Sequence, residues 1–234
     1  MGFRSAISEP KNSAMLLIAG LSRGDVKEAE VLANNKVDAG LILSQNIEDI
    51  RQVVRVMGDI PLGILVKDTN KEKLDKLVDS GCDFAVFDVK MPLAKLCRQE
   101  EVGKFLMIEP SLDQGLIRAI NHLDIDGVFI DRGAESFITV ERLLIYHRFS
   151  ELLDKPLVAT LPSLVTSAEL GNLWQAGIDG IVIPPAQPEE MFAELRRMTD
   201  NLPRETRRRW SEAGVILPHY GGGLGIEDEE EEEI

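Results

Sequence analysis

Three carboxylates, Asp88, Glu109 and Asp131, each close a short apolar run, and the three runs follow one another along the chain. Brought to one place, such groups repel one another unless a cation or a shared proton compensates. A hard divalent ion such as Mg2+ suits all-oxygen donors, keeps several waters and can polarise a substrate carbonyl. Basic residues occupy matching places: Arg23, Lys67, Lys90 and Arg132 follow the ends of the first, third, fourth and sixth runs. Such residues can hold a substrate carboxylate, and a lysine with a lowered pKa can serve as base or amine nucleophile. The same residues would also make a salt-bridged rim without chemistry, and strand alternation decides which of them face a common space.

The elements that must position these groups recur with nearly even spacing. Eight apolar runs of strand length alternate with gaps long enough for a helix and two turns. Four runs open on an aspartate: Asp38, Asp83, Asp126 and Asp179, which lie 45, 43 and 53 residues apart. The pattern repeats at two-strand intervals and predicts an α/β chain folded as a single (β/α)8 TIM barrel. In that architecture the active site lies at the C-terminal ends of the strands. The four opening aspartates therefore lie at the opposite end, where turn or cap chemistry is expected of them.

Helices are expected over about 24–35, 46–57, 70–80, 91–101, 112–122, 134–153, 164–176 and 188–199, with an extra C-terminal helix near 203–213. Ser111…Gln114 and Thr166…Glu169 have the form of capping boxes. Pro188 suits a first helical position, with Glu189 and Glu190 in the first turn where the dipole favours them. Gly81 and Gly177 read as helix stops. We divide the chain into an N-terminal arm (1–13), the barrel (14–214) and a flexible acidic tail (215–234).

The chain has 234 residues and a formal net charge of −14. Residues Glu227 to Glu233 are all acidic and carry half of that charge. An acidic body argues against nucleic acid as a partner, and no apolar stretch is long enough to span a bilayer. A small carboxylate-bearing molecule is the expected partner, and a homo-oligomer is compatible with the sequence. Cys82 and Cys97 lack metal-ligand spacing and read as reduced, buried side chains of a cytoplasmic protein. One basic cluster, Arg196, Arg197, Arg204 and Arg207 to Arg209, reads as an exposed helix face or an anion or partner patch.

Absent motifs narrow the chemistry. The loops after the seventh and eighth runs, Pro162-Ser163 and Pro184-Pro185-Ala186-Gln187, have no glycine, and Glu189 and Glu190 occupy the following helix start. Phosphate or flavin mononucleotide binding at that place is disfavoured. His122, His147 and His219 stand away from the strand ends, and there is no Gly-x-Ser-x-Gly elbow, P-loop or Cys-x-x-Cys.

Phe105-Leu-Met-Ile-Glu-Pro110, a helix, then Ile125-Asp-Gly-Val-Phe-Ile-Asp131 resembles strands five and six of the metal-dependent 2-oxo-acid aldolase and citrate-lyase β-chain family, which belongs to the pyruvate- and phosphoenolpyruvate-binding barrels. The resemblance implies that Glu109 and Asp131 are metal ligands and that a nearby basic residue holds the oxo-acid carboxylate. The expected function is a metal-assisted lyase or aldolase-type reaction on a small carboxylate-bearing carbonyl compound. Lys67, Asp88 and Lys90 are then the catalytic candidates, Arg23 and Arg132 bind substrate, and Mg2+ or a similar ion is the cofactor. Two alternatives stay open. One is a metal-free enzyme using lysine and carboxylate acid–base chemistry. The other is a non-catalytic barrel that binds partners through the arginine cluster and the acidic tail.

Overall fold

A computed structural model describes residues 13–22, 26–43, 50–66, 81–92, 102–130, 137–162 and 165–203. Eight parallel strands close into a barrel in chain order. They are β1 (Leu16–Leu21), β2 (Ala39–Ile42), β3 (Leu62–Val66), β4 (Phe84–Asp88), β5 (Gly103–Ile108), β6 (Gly127–Ile130), β7 (Leu157–Thr160) and β8 (Gly180–Ile183). The described helices are α1 (Val26–Asn34), α2 (Ile50–Met57), α3 (Gln114–Ile120), α4 (Val140–Leu152), α5 (Ser167–Gln175) and α6 (Glu189–Asp200). The expected helices at 70–80 and 203–213, and nearly all of that at 91–101, lie outside the described residues.

Alternation along each strand sorts the side chains into two cores. Ile18, Leu41, Leu65, Val86, Phe129, Val158 and Val182 form a buried cluster that fills the barrel, with Phe84, Phe105 and Met107 against it. Their neighbours Leu17, Ile64, Leu106, Ile108, Val128, Leu157 and Ile181 pack outward under the helices in the larger cluster. Each fully buried side chain of this size contributes about 1.5–3 kcal/mol. The Phe84 and Phe105 rings lie 5.5 Å apart at 59°. Gly63 pairs with Phe84 across the sheet, and a β-carbon there would stand 2.0 Å from the Phe84 ring. The glycine is the space the ring occupies.

The four opening aspartates share one structural task. Asp38, Asp83, Asp126 and Asp179 each accept, through Oδ2, the backbone N–H of Leu17, Leu62, Lys104 and Leu157 at 2.7–2.8 Å. In return, each aspartate N–H donates to the carbonyl of that same residue at 2.8 Å. Each carboxylate thus fastens an even strand to the odd strand before it, at the N-terminal end of the barrel. Capping or turn chemistry far from the site was the expectation; the observed form is a cross-strand clasp.

Local signals are met in part. Thr166 and Glu169 form both halves of a capping box. Ser111 does not cap α3; Asp113 does, accepting from the Gly115 N–H, because the helix begins at Gln114. Pro188 is the N-cap of α6 and not its first residue, and it makes no side-chain capping bond. Thr139 caps α4, so that helix begins at Val140, later than expected. Gly81 and Gly177 have φ of 89° and 97°, and Gly177 follows the end of a described helix, Ser167–Gln175. Cys82 is buried, while Cys97 lies outside the described residues.

The arginine cluster needs a correction. Arg196 is not exposed on a free helix face: its Nε donates to the Lys36 carbonyl at 2.6 Å and its Nη2 lies 2.9 Å from Asp38 Oδ2. Its side chain is only 14% exposed. Arg197 is exposed, and Arg204, Arg207, Arg208 and Arg209 lie outside the described residues. No described helix is long and apolar enough to cross a membrane.

Candidate active site at the C-terminal mouth of the barrel

The inward positions continue past the strand ends, and the same alternation identifies what stands at the mouth. On β4, Phe84 and Val86 face inward, so Asp88, the next position in that series, faces the mouth and is half-buried. On β5, Phe105 and Met107 face inward, and Glu109 follows with its side chain exposed. Asp88 pairs with Met107 across the sheet, which places Glu109 two residues beyond it on the neighbouring strand. With about 3.3 Å per residue and 4.8 Å between strands, the two α-carbons are about 8 Å apart. Two carboxylates at that spacing can reach one ion or one ligand between them.

Local bonds shape the turn that follows each of them. Asp88 Oδ1 accepts the Lys90 N–H at 2.8 Å, an aspartate turn of the kind that reverses the chain after a strand. The Asp88 carbonyl accepts the Met91 N–H at 2.9 Å, and the Glu109 carbonyl accepts that of Leu112 at 3.1 Å. Arg148, from α4, donates through Nη2 to the Pro110 carbonyl at 2.7 Å and so ties the loop after β5 to the helix layer. Lys90 is exposed in the turn after β4.

Of the residues singled out from sequence, the structure thus brings Asp88 and Glu109 to the mouth on adjacent strands, with Lys90 beside them. Arg23, Lys67, Asp131 and Arg132 lie outside the described residues. Among the described residues no group of three acidic, histidine or cysteine side chains is assembled around one point. In donor type, Asp88 and Glu109 fit a hard cation, which takes carboxylate oxygens and keeps water on its remaining positions.

Other groups at the mouth were not anticipated. Thr160 ends β7 in the inward series of Val158 and is half-buried. It brings a hydroxyl to the rim, and its signal was a single polar residue closing an apolar run. Opposite β4 and β5 the described rim carries apolar groups beside Ser22, whose hydroxyl donates to the Glu28 carboxylate. Leu43, just beyond β2, packs on the inner core, and Pro184 and Pro185 follow β8, both half-buried. Gly20 on β1 lies between them: a β-carbon there would stand 2.8 Å from the Ile183 carbonyl, 3.1 Å from Leu43 Cδ1 and 3.4 Å from Pro185 Cδ.

No known family model matches the chain, and no curated protein is significantly similar to it in sequence. Solved structures do resemble it. A mutant tryptophan synthase α-subunit from the hyperthermophile Pyrococcus furiosus has a TM-score of 0.59 at 12% identity, covering 81% of this chain and 98% of that one. A thiamine phosphate pyrophosphorylase from Pyrococcus furiosus has a TM-score of 0.60 at 14% identity, covering 80% and 96%. A tryptophan synthase from M. tuberculosis has a TM-score of 0.55 at 12% identity, covering 81% and 91%. The protein class defined here is the (β/α)8 barrel, and at these identities the likeness extends to the fold alone. Membership of the 2-oxo-acid aldolase and citrate-lyase family finds no support. The stretch from Phe105 to Asp131 that resembles it is a strand, helix and strand of the kind any such barrel contains. Arg132-Gly133 also stand where that family has its Gly-Pro-x-Asp turn.

Proposed function

We propose that the barrel is an enzyme of the lyase or aldolase type, working at its C-terminal mouth on a small carboxylate-bearing carbonyl compound with a divalent cation such as Mg2+. The observation that carries this reading is the pair Asp88 and Glu109, on the inward series of adjacent strands at the rim. In sequence, Asp131 stands two positions beyond inward-facing Phe129, the same step that separates Asp88 from Val86. Lys67 bears that relation to Leu65. On this reading Glu109 and Asp131, with Asp88 beside them, hold the ion, which when bound supplies Lewis-acid stabilisation of charge developing on the substrate carbonyl. Lys67, Lys90, Arg23 or Arg132 binds the substrate carboxylate, and Lys67 or Lys90 is the candidate base for a proton on carbon. Similar folds in proteins named as synthases and a pyrophosphorylase support an enzyme in general terms.

Mn2+ binding by calorimetry tests the reading. Wild-type protein is expected to bind one ion, and Asp88→Asn and Glu109→Gln to bind it at least tenfold more weakly. Pyruvate in D2O with Mn2+ should lose methyl protons faster in the presence of the protein, as followed by NMR. No ion binding, or binding unchanged by both substitutions, overturns it. The non-catalytic alternative is weakened because Arg196, one member of its proposed patch, is occupied by Lys36 and Asp38.

A further inference from the structure

We infer that the outer face of α4 and α5 is a self-association surface, on which a second copy of this chain packs about a two-fold axis near Leu144. On α4 the usual sidedness of a surface helix is reversed. Arg142 is buried, while Val140 and Leu144, one turn apart on the opposite side of the helix, are 74% and 64% exposed. Phe137, just before the helix, is 77% exposed. Taking about 150–200 Å2 for each such side chain when fully exposed, the three present roughly 400 Å2 of hydrocarbon to water. A patch of that size on a single chain marks an interaction site far more often than scattered apolar residues do.

The neighbouring helix extends the patch. α5 packs beside α4, and its outer residues Ala168, Asn172 and Gln175 are exposed and uncharged. Gly171 lies within α5, where glycine lowers helix stability relative to alanine, yet a β-carbon there would meet nothing within 4 Å. That open space fits the close approach of a second helix. Charge selects the occupant. The chain carries a formal net charge of −14, so two copies repel in most orientations. Yet α3, α4 and α5 together hold three arginines and three glutamates and have no net charge. A face without net charge is where a like-charged copy can dock, whereas a basic partner would gain more from the acidic surface elsewhere. The face is also self-complementary. Glu141 and Arg148 lie on either side of Leu144, two turns apart and so on one flank of α4. Glu141 is exposed, and Arg148 meets the Pro110 carbonyl and the Phe149 ring but no carboxylate among the described residues. Antiparallel packing of α4 on its copy sets each Glu141 against the Arg148 of the second copy and lays α5 on α5 across Gly171. This is the isologous arrangement of a two-fold dimer, and two helices from each copy can supply the about 800 Å2 per partner that a stable interface covers.

Sedimentation equilibrium of the full-length protein is the test. The wild-type chain is expected to form a dimer with a Kd of about 10 µM or below. Leu144→Arg and Gly171→Arg each bring a charge into the contact and should raise that Kd more than about tenfold. Leu144 is exposed and Gly171 has open space beside it, so the fold should survive both, which circular dichroism checks. Glu141→Arg alone and Arg148→Glu alone should each weaken the dimer, because each sets like charges together across the axis. An equimolar mixture of those two variants should associate again, since every facing pair then has opposite signs. A wild-type chain that stays monomeric well above the expected Kd overturns the inference, whether residues 1–12 or a different protein then cover the face. A dimer indifferent to Leu144→Arg, Gly171→Arg and both reversals meets through another face and overturns it as well. A dimer lost with Leu144→Arg but not recovered on mixing the two reversals overturns the two-fold packing.

Discussion

Replacing Asp38 by alanine removes two interactions at once. The Leu17 N–H loses its acceptor at 2.7 Å, and the Arg196 guanidinium loses its partner at 2.9 Å. Leu17 is 0% exposed, so water cannot readily replace the lost acceptor, and an orphaned buried donor costs about 1–3 kcal/mol. The ion pair is partly solvated, with side chains 14% and 31% exposed, and adds about 1 kcal/mol. The sum is about 2–4 kcal/mol, a fall in Tm of roughly 5–12 °C for a chain of this size. Asp83 has the same clasp, to the Leu62 N–H at 2.8 Å, so Asp83→Ala should cost about 1 kcal/mol less than Asp38→Ala. Asparagine separates the contributions: Asp38→Asn keeps an oxygen for Leu17 and should lose only the ion pair. Urea unfolding followed by circular dichroism gives each value, and a double-mutant cycle of Asp38→Ala with Arg196→Ala should return a coupling of about 1 kcal/mol. If Asp38→Ala costs no more than Asp83→Ala, or both stay within about 0.5 kcal/mol of the parent, the clasp argument is wrong.

Thr166→Ala removes half of the α5 capping box and should destabilise the protein by about 1 kcal/mol. The Glu169 carboxyl is held below its ordinary value of 4.5 by the Thr166 backbone N–H and then by the Thr166 hydroxyl. Its contribution is therefore present above that pH and is lost as the pH falls through the depressed pKa. In Thr166→Ala an NMR titration should show Glu169 moving part of the way back up, since the N–H bond remains. Gly63→Ala drives a carbon to 2.0 Å from the Phe84 ring and should cost about 1–3 kcal/mol or more by overpacking. Phe84→Leu in the same chain should recover part of that loss, and a neutral Gly63→Ala would show that the ring moves aside freely.

Strand number and order were readable because parallel strands buried on both faces are short unbroken apolar runs, and the gaps between them fit one helix each. The opening aspartates were placed at the correct end, but their clasp was not foreseen, since the partner N–H lies 21 or 22 residues away in sequence. Asp88 and Glu109 were legible as strand-end charges. Their common inward face was not, because an unbroken apolar strand hides which of its residues point inward. Once Val86 and Met107 are known to face the barrel interior, alternation assigns both. Nothing local in the sequence reveals that Gly20 lets Leu43 and Pro185 approach. Arg196 was grouped with its arginine neighbours because proximity in sequence says nothing of the Lys36 carbonyl, 160 residues away.

Because each aspartate clasp joins an odd strand to the even strand that follows, none crosses from β2 to β3, from β4 to β5 or from β6 to β7. The barrel is thus laid out as four two-strand quarters, each carrying its own fastening. Opening the chain at one of those three seams, and joining the old termini, leaves every clasp intact. A cut inside a quarter leaves one clasp to form between distant ends of the chain, with the loop-closure entropy that this entails.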